Sequence, residues 1–226
     1  MMRYLLPILL VGLSFGACNS QNETTGKTSR KSGVYPISQV EDQYEGLDKA
    51  TFAGGCFWCT EAVFERVKGV EAVISGYTDG DVENPSYRAV CTGNTGHTEA
   101  IRIYFDPARV SYDKLVEVFF ATHDPTQLNR QGPDVGTQYR SGVYYHSERQ
   151  KEIVENYIQK LEKSGKYDKP IVTEVDPAST FYRAEDYHQD YYENNPKRGY
   201  LRSVTQPKVE KFEKEFKAIL KDKYKA

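Results

Sequence analysis

Lys49-Ala50-Thr51-Phe52-Ala53-Gly54-Gly55-Cys56-Phe57-Trp58-Cys59 is the stretch from which the organisation of the chain follows. Residues 49–53 read as a short strand that runs into two glycines. Beyond them Trp58, Ala62, Val63 and Val67 recur at helical spacing, and Gly69 is a helix stop. Cys56 therefore stands at the start of a helix of 57–68. Unpaired backbone N–H groups and the helix dipole favour negative charge there, which predicts a thiolate. Two glycines allow a sharp turn and predict a sulfur left uncovered. The pattern reads as a nucleophile built by geometry.

Working outward, further strands are expected at 70–77, 97–105, 139–145 and 171–175. Ser111 opens a helix whose buried stripe is Leu115, Val116, Phe119 and Phe120, and Ser147 with Gln150 reads as a capping box for a helix of 147–163. A short helix is expected over 184–193, and a charged C-terminal helix with the stripe Val209, Phe212, Phe216, Ile219 and Leu220. Strands and helices do not alternate strictly. The fold class is α+β, a mixed central sheet with helices packed against it as a two-layer sandwich of ferredoxin-like character.

The remaining composition narrows the class. Thirty basic and 32 acidic side chains are well mixed along 226 residues, for a net charge of -2, which lacks the basic footprint of a nucleic-acid binder. Four cysteines are too few and too unevenly spaced for a disulfide scaffold. At the N-terminus Arg3, an apolar run over 5–15, and Gly16-Ala17-Cys18 look like a bacterial lipoprotein signal. That resemblance implies cleavage after 1–17, lipid on Cys18, and an exported protein anchored on a membrane facing the periplasm or cell exterior. A polar tether over 18–46 and a catalytic domain over 47–226 complete the expected layout. Three other readings of Cys56 stand beside the nucleophile: a buried structural cysteine, a Cys-x-x-Cys redox pair with Cys59, and a zinc ligand with Cys59, Cys91 and His97. The last has poor spacing, and no metal is expected.

Longer motifs point to one family. Phe52-Ala53-Gly54-Gly55-Cys56-Phe57-Trp58-Cys59, Ser75-Gly76-Tyr77-Thr78, 84–91 (Asn-Pro-Ser-Tyr-Arg-Ala-Val-Cys), Gly96-His97-Thr98-Glu99, His123-Asp124-Pro125-Thr126-Gln127, 134–141 (Asp-Val-Gly-Thr-Gln-Tyr-Arg-Ser), 184–189 (Ala-Glu-Asp-Tyr-His-Gln) and Asn195-Pro196 occur in order. Over roughly residues 51–196 the chain resembles the A-type peptide methionine sulfoxide reductases.

The resemblance implies the roles. Cys56 attacks the sulfoxide sulfur, Glu99 protonates the departing oxygen, and the phenols of Tyr87 and Tyr139 hydrogen-bond it. Phe57 and Trp58 hold the methyl group, Asp134 fixes the substrate's backbone amide, and His188 borders the groove. Taken singly these are a surface carboxylate, core aromatics, a packing indole and a turn residue; their joint placement carries the assignment. The family acts on the S epimer. Many members regenerate the enzyme with cysteines in a C-terminal tail, but no cysteine follows Pro196 here. Cys59, three residues on, is then the expected resolving thiol, with Cys91, expected to be buried, or an external thiol as alternatives. With no nucleotide, flavin or metal motif, no cofactor is expected and a thioredoxin-like protein is the implied reductant. A general disulfide oxidoreductase and a non-catalytic lipoprotein that binds oxidised peptide are the competing functions.

Overall fold

The computed structural model describes Met1 and residues 33–225. The strands are β1 (Tyr35–Pro36), β2 (Asp48–Gly54), β3 (Val70–Thr78), β4 (Thr98–Phe105), β5 (Arg130–Gln131), β6 (Asp134–Val135), β7 (Ser141–Tyr145), β8 (Glu174–Pro177) and β9 (Tyr182–Arg183). The helices are α1 (Phe57–Phe64), α2 (Tyr87–Val90), α3 (Tyr112–Thr122), α4 (Glu148–Lys163), α5 (Tyr191–Asn194) and α6 (Gln206–Glu215). Seven strands form one sheet in the order β1-β9-β3-β4-β2-β7-β8, and β5 with β6 makes a separate hairpin. Every neighbour in the large sheet is antiparallel except β7 and β8, so the sheet is mixed.

The alternation of side chains along the strands divides the core. On β4, Ile101, Ile103 and Phe105 face the larger apolar cluster with residues of α1, α3 and α6, whereas Ala100 and Tyr104 face a smaller one. Phe52 on β2 lies in the larger cluster, its ring 4.8 Å from that of Phe119 on α3. Glu99 shares the parity of Ile101 and so belongs to the helix-covered face, at the end of β4.

The folded unit begins earlier than residue 47. β1 pairs with β9, and Ile37, Val40, Tyr44 and Leu47 cover Ala100, Tyr104, Tyr144 and Phe181 on the second face of the sheet. Tyr44 stacks on Tyr104 at 3.9 Å, and Glu41 accepts from Arg102 at 3.2 Å. Residues 34–46 are thus part of the domain; Ile37, Val40, Tyr44 and Leu47 recur at spacings of three and four, but on and between two one-turn helices set among polar residues rather than on one longer helix. The expected export signal, Cys18 and the first part of the tether lie outside the described residues.

Other boundaries differ for local reasons. α1 ends at Phe64 rather than at 68, because Val67 turns to bridge Leu220. Ser147 caps α4 through the N–H of Gln150, but the Gln150 side chain returns to the N–H of His146, not to that of Ser147. The helix expected over 184–193 is one turn at Asp186–His188 followed by α5 after Asp190, whose φ is 52°. The C-terminal stripe breaks at Phe216, and α6 is preceded by a wide π-type turn over Leu201–Thr205.

Candidate active site

The turn before α1 is shaped by contact. Gly55 has φ +87°, and a Cβ there would lie 2.5 Å from Cβ of Gln131 on the β5–β6 hairpin. Only glycine fits, and the hairpin that carries Asp134 is thereby packed against the turn. Cys56 occupies the position just before α1, and its own side chain caps nothing. The cap comes from across the sheet: Phe57 N–H donates to Glu99 Oε2 at 3.0 Å. β4 thus delivers the carboxyl to the residue next to the cysteine.

Glu99 is buried, and burial pushes its carboxyl up to about 8, with the Phe57 N–H pulling the other way and the charges of Asp134 and Cys59 adding to the rise. At neutral pH it holds a proton. Tyr87 opens α2, whose start is fixed by Tyr87 N–H donating to Glu185 Oε1 at 3.0 Å while Tyr77 O–H donates to Oε2 of the same carboxylate. Tyr139 closes the one-turn helix Thr137–Tyr139. Burial and the neighbouring Glu99 push both phenols above their ordinary value, so both remain O–H donors.

An aromatic wall stands beside them. Phe57 is fully buried, with its ring 5.1 Å from His188 and 6.4 Å from Tyr87. Trp58 stacks on Tyr191 at 4.0 Å and donates from Nε1 to His188 Nδ1 at 3.1 Å. Burial lowers His188 to about 4, so its ring is neutral and, with Nδ1 accepting, carries its proton on Nε2. Glu61 holds the wall from behind by accepting from Tyr191 N–H at 3.3 Å.

The structure corrects three expectations about sulfur. Cys56 is 4% exposed, not uncovered. Tyr200 covers it: the phenol lies against the Cys56 sulfur, meets Trp58 edge-on at 6.1 Å and donates to Asp134 Oδ2 at 2.6 Å. Burial, together with the adjacent Cys59, pushes the Cys56 thiol well above its ordinary value, outweighing the helix start. Cys59, with the Cys56 thiol donating toward it, is drawn down to about 6 despite its own burial. Its Sγ lies 3.1 Å from Thr205 Oγ1. Cys91, expected to be buried, is exposed and lies near the Tyr87 phenol.

The sequence-expected residues Cys56, Phe57, Trp58, Cys59, Tyr87, Glu99, Asp134, Tyr139 and His188 are linked through these contacts. Cys91 stands at the side, and the ring of His97 is committed to the carbonyl of Val82 at 2.7 Å. Sequence reasoning missed Tyr200, Thr205, Tyr191 and Glu185. The first two lie beyond the last family motif, in a segment whose charged composition hides them. Among the described residues no group of His, Cys, Asp and Glu could hold a metal ion.

Comparison with known proteins places this arrangement. The profile of the family described as peptide methionine sulfoxide reductase matches residues 48–220. A peptide methionine sulfoxide reductase MsrA from Natronomonas pharaonis is 56% identical over 161 residues, covering 71% of this chain and 90% of that protein. The similarly named MsrA 1 of Rhodopirellula baltica is 53% identical, covering 76% of this chain and 88% of its own. Among solved structures, methionine sulfoxide reductase A of Corynebacterium diphtheriae has a TM-score of 0.60 at 40% identity, covering 67% of this chain and 76% of that one. Mxr1 from Saccharomyces cerevisiae in reduced form has a TM-score of 0.62 at 34% identity, covering 67% and 87%.

Proposed function

The chain belongs to the peptide methionine sulfoxide reductase family, and we propose how its own residues carry out that reduction. Methionine sulfoxide is reduced to methionine when a soft nucleophile meets the sulfoxide sulfur and an acid protonates the oxygen. The observation that carries the reading is the hydrogen bond that fixes the Glu99 carboxyl on the N–H of Phe57, beside Cys56, while burial keeps it protonated. Cys56 attacks sulfur. Glu99 gives its proton to the oxygen, and the O–H groups of Tyr87 and Tyr139 donate to the same atom without adding charge. Phe57 and Trp58 wall the methyl group, with His188 locking the indole. Asp134 accepts the substrate's backbone amide, which requires sharing or displacing Tyr200.

Methionine leaves, and Cys56 is left as a sulfenic acid. Cys59, in the first turn of α1, closes a disulfide with it. A thioredoxin-like protein then reduces that disulfide, and the preferred substrate is the S epimer. The test is thiol-dependent consumption of each sulfoxide epimer by wild type and Cys56→Ser, followed by mapping of the disulfide in the oxidised wild type. Loss of activity in Cys56→Ser and a Cys56–Cys59 bond are expected; activity in the variant would refute the nucleophile, and a free Cys59 the resolving role.

The N-terminal pattern supports an exported enzyme tethered through lipid on Cys18. Mass spectrometry of the mature N-terminus should find a diacyl or triacyl mass on Cys18. An unmodified cysteine removes the anchor.

A further inference from the structure

We propose that Cys59 acts before it resolves anything: held as a thiolate by the adjacent Cys56 thiol, Lys208 and Thr205, it takes the proton from Cys56 as Cys56 attacks the sulfoxide. The inference goes beyond the resolving role and does not need it.

The geometry begins with a cysteine that cannot ionise easily. Cys56 is buried beneath Tyr200, and its burial penalises charge on its own sulfur. Cys59 is equally buried, 2% exposed, yet its surroundings favour charge. Thr205 is fully buried and helical, at the junction where the π-type turn of Leu201–Thr205 runs into α6. Its hydroxyl lies 3.1 Å from Cys59 Sγ, placed to donate to a thiolate there. Lys208, one turn further along α6, lines a cleft with Cys59, Gly54, Thr60 and His123 and supplies positive charge. His123, at the end of α3, faces the same cleft; burial lowers it to about 4, so it is neutral there. From the substrate side Tyr200 lies against the pair with its O–H given to Asp134, and Glu99 on β4 feels the Cys59 charge, which raises its carboxyl.

One arrangement therefore sets base and acid at once. Cys59 titrates at about 6 and Glu99 at about 8, so between those values the base is ionised and the acid protonated. In the first step the Cys56 S–H bond breaks and its proton moves to Cys59 Sγ. Cys56 bonds to the sulfoxide sulfur as the Glu99 proton passes to the oxygen; the hydroxyl so formed then bonds to the Cys56 sulfur, the substrate S–O bond and the transient S–S bond break, and methionine leaves. The products are methionine, Cys56–SOH, Cys59–SH and the Glu99 carboxylate. In the second step an S–S bond forms between the cysteines. The Cys56 hydroxyl departs as water with the proton that Cys59 had stored. Two electrons reduce the sulfoxide and two cysteines supply them.

The experiment is single-turnover formation of methionine from a blocked methionine sulfoxide, read from pH 5 to 9 with prereduced full-length enzyme and no added reductant. The wild-type burst should rise through about pH 6 and fall through about pH 8. In Cys59→Ser the burst should slow roughly 10²-fold at pH 7, with the rising limb moved to higher pH. Thr205→Val and Lys208→Met should each move that limb upward and slow the burst about tenfold below pH 6, whereas Thr205→Ser keeps the hydroxyl and the wild-type profile. An unchanged burst in Cys59→Ser, or a loss equal at every pH in all three variants, overturns the proposal. A burst that behaves as expected without a Cys56–Cys59 disulfide would instead strike only the resolving role.

Discussion

Replacing Glu99 by Gln should make the protein more stable and the enzyme worse. The native carboxyl titrates at about 8, against 4.5 for the free group, because it is buried at 1% exposure. Between those values the native state holds a proton that the unfolded chain releases. Stability therefore falls as pH rises through this window and levels off above the folded value. At pH 7 the window spans about 2.5 pH at roughly 1.4 kcal/mol each, so about 3.5 kcal/mol is at stake. Glutamine is neutral at every pH and its amide oxygen can still accept from Phe57 N–H, so Glu99→Gln escapes that penalty. Urea unfolding at pH 5, 6, 7 and 8 should show an advantage for the variant that is small at pH 5, about 3.5 kcal/mol at pH 7 and largest at pH 8. Single-turnover methionine release should meanwhile fall roughly 10²–10⁴-fold, the weight of a lost general acid. A stability difference independent of pH, or a near-normal burst, would refute the reasoning.

Three further outcomes follow from the site. Tyr87→Phe combined with Tyr139→Phe should slow the burst roughly 10²–10³-fold, as when a preorganised donor to a developing oxyanion is removed; an undiminished burst would take both phenols away from the oxygen. Tyr200→Ala should raise the alkylation rate of Cys56 at pH 7 severalfold by uncovering the sulfur, mapped by peptide mass spectrometry; an unaltered rate would mean that another group covers it. Gly55→Ala combines a positive φ with the clash at Gln131 and should cost at least about 2 kcal/mol in urea unfolding; a smaller loss would show that the hairpin can move away.

How much of this was legible in the sequence depended on which signal each residue carried. The β2–turn–α1 unit was readable because two glycines and a helical stripe mark it on both sides of Cys56. β4 was readable because Ile101, Ile103 and Phe105 alternate. Residues 34–46 were not, since Ile37, Val40 and Tyr44, although spaced by three and four, lie among polar residues on two short turns rather than on one helix. The family motifs located Glu99 and Tyr87, but no motif states a protonation state. Whether Cys56 is ionised depends on how many atoms surround it, and Tyr200 and Thr205, which decide this, come from a segment about 145 residues away in the chain. Local propensity describes the helix start that favours charge on Cys56; the fold adds the burial that opposes it, and burial is the larger effect.

The central claim is that a fully enclosed carboxyl beside the nucleophile stays protonated at neutral pH. Carbon-13 labelling of glutamate side chains, with Glu99→Gln to assign the resonance, allows that carboxyl to be titrated directly in the reduced enzyme. A midpoint near 8 is expected. A midpoint near 4.5, the value of a free glutamate, would leave the sulfoxide oxygen without its acid and contradict the mechanism.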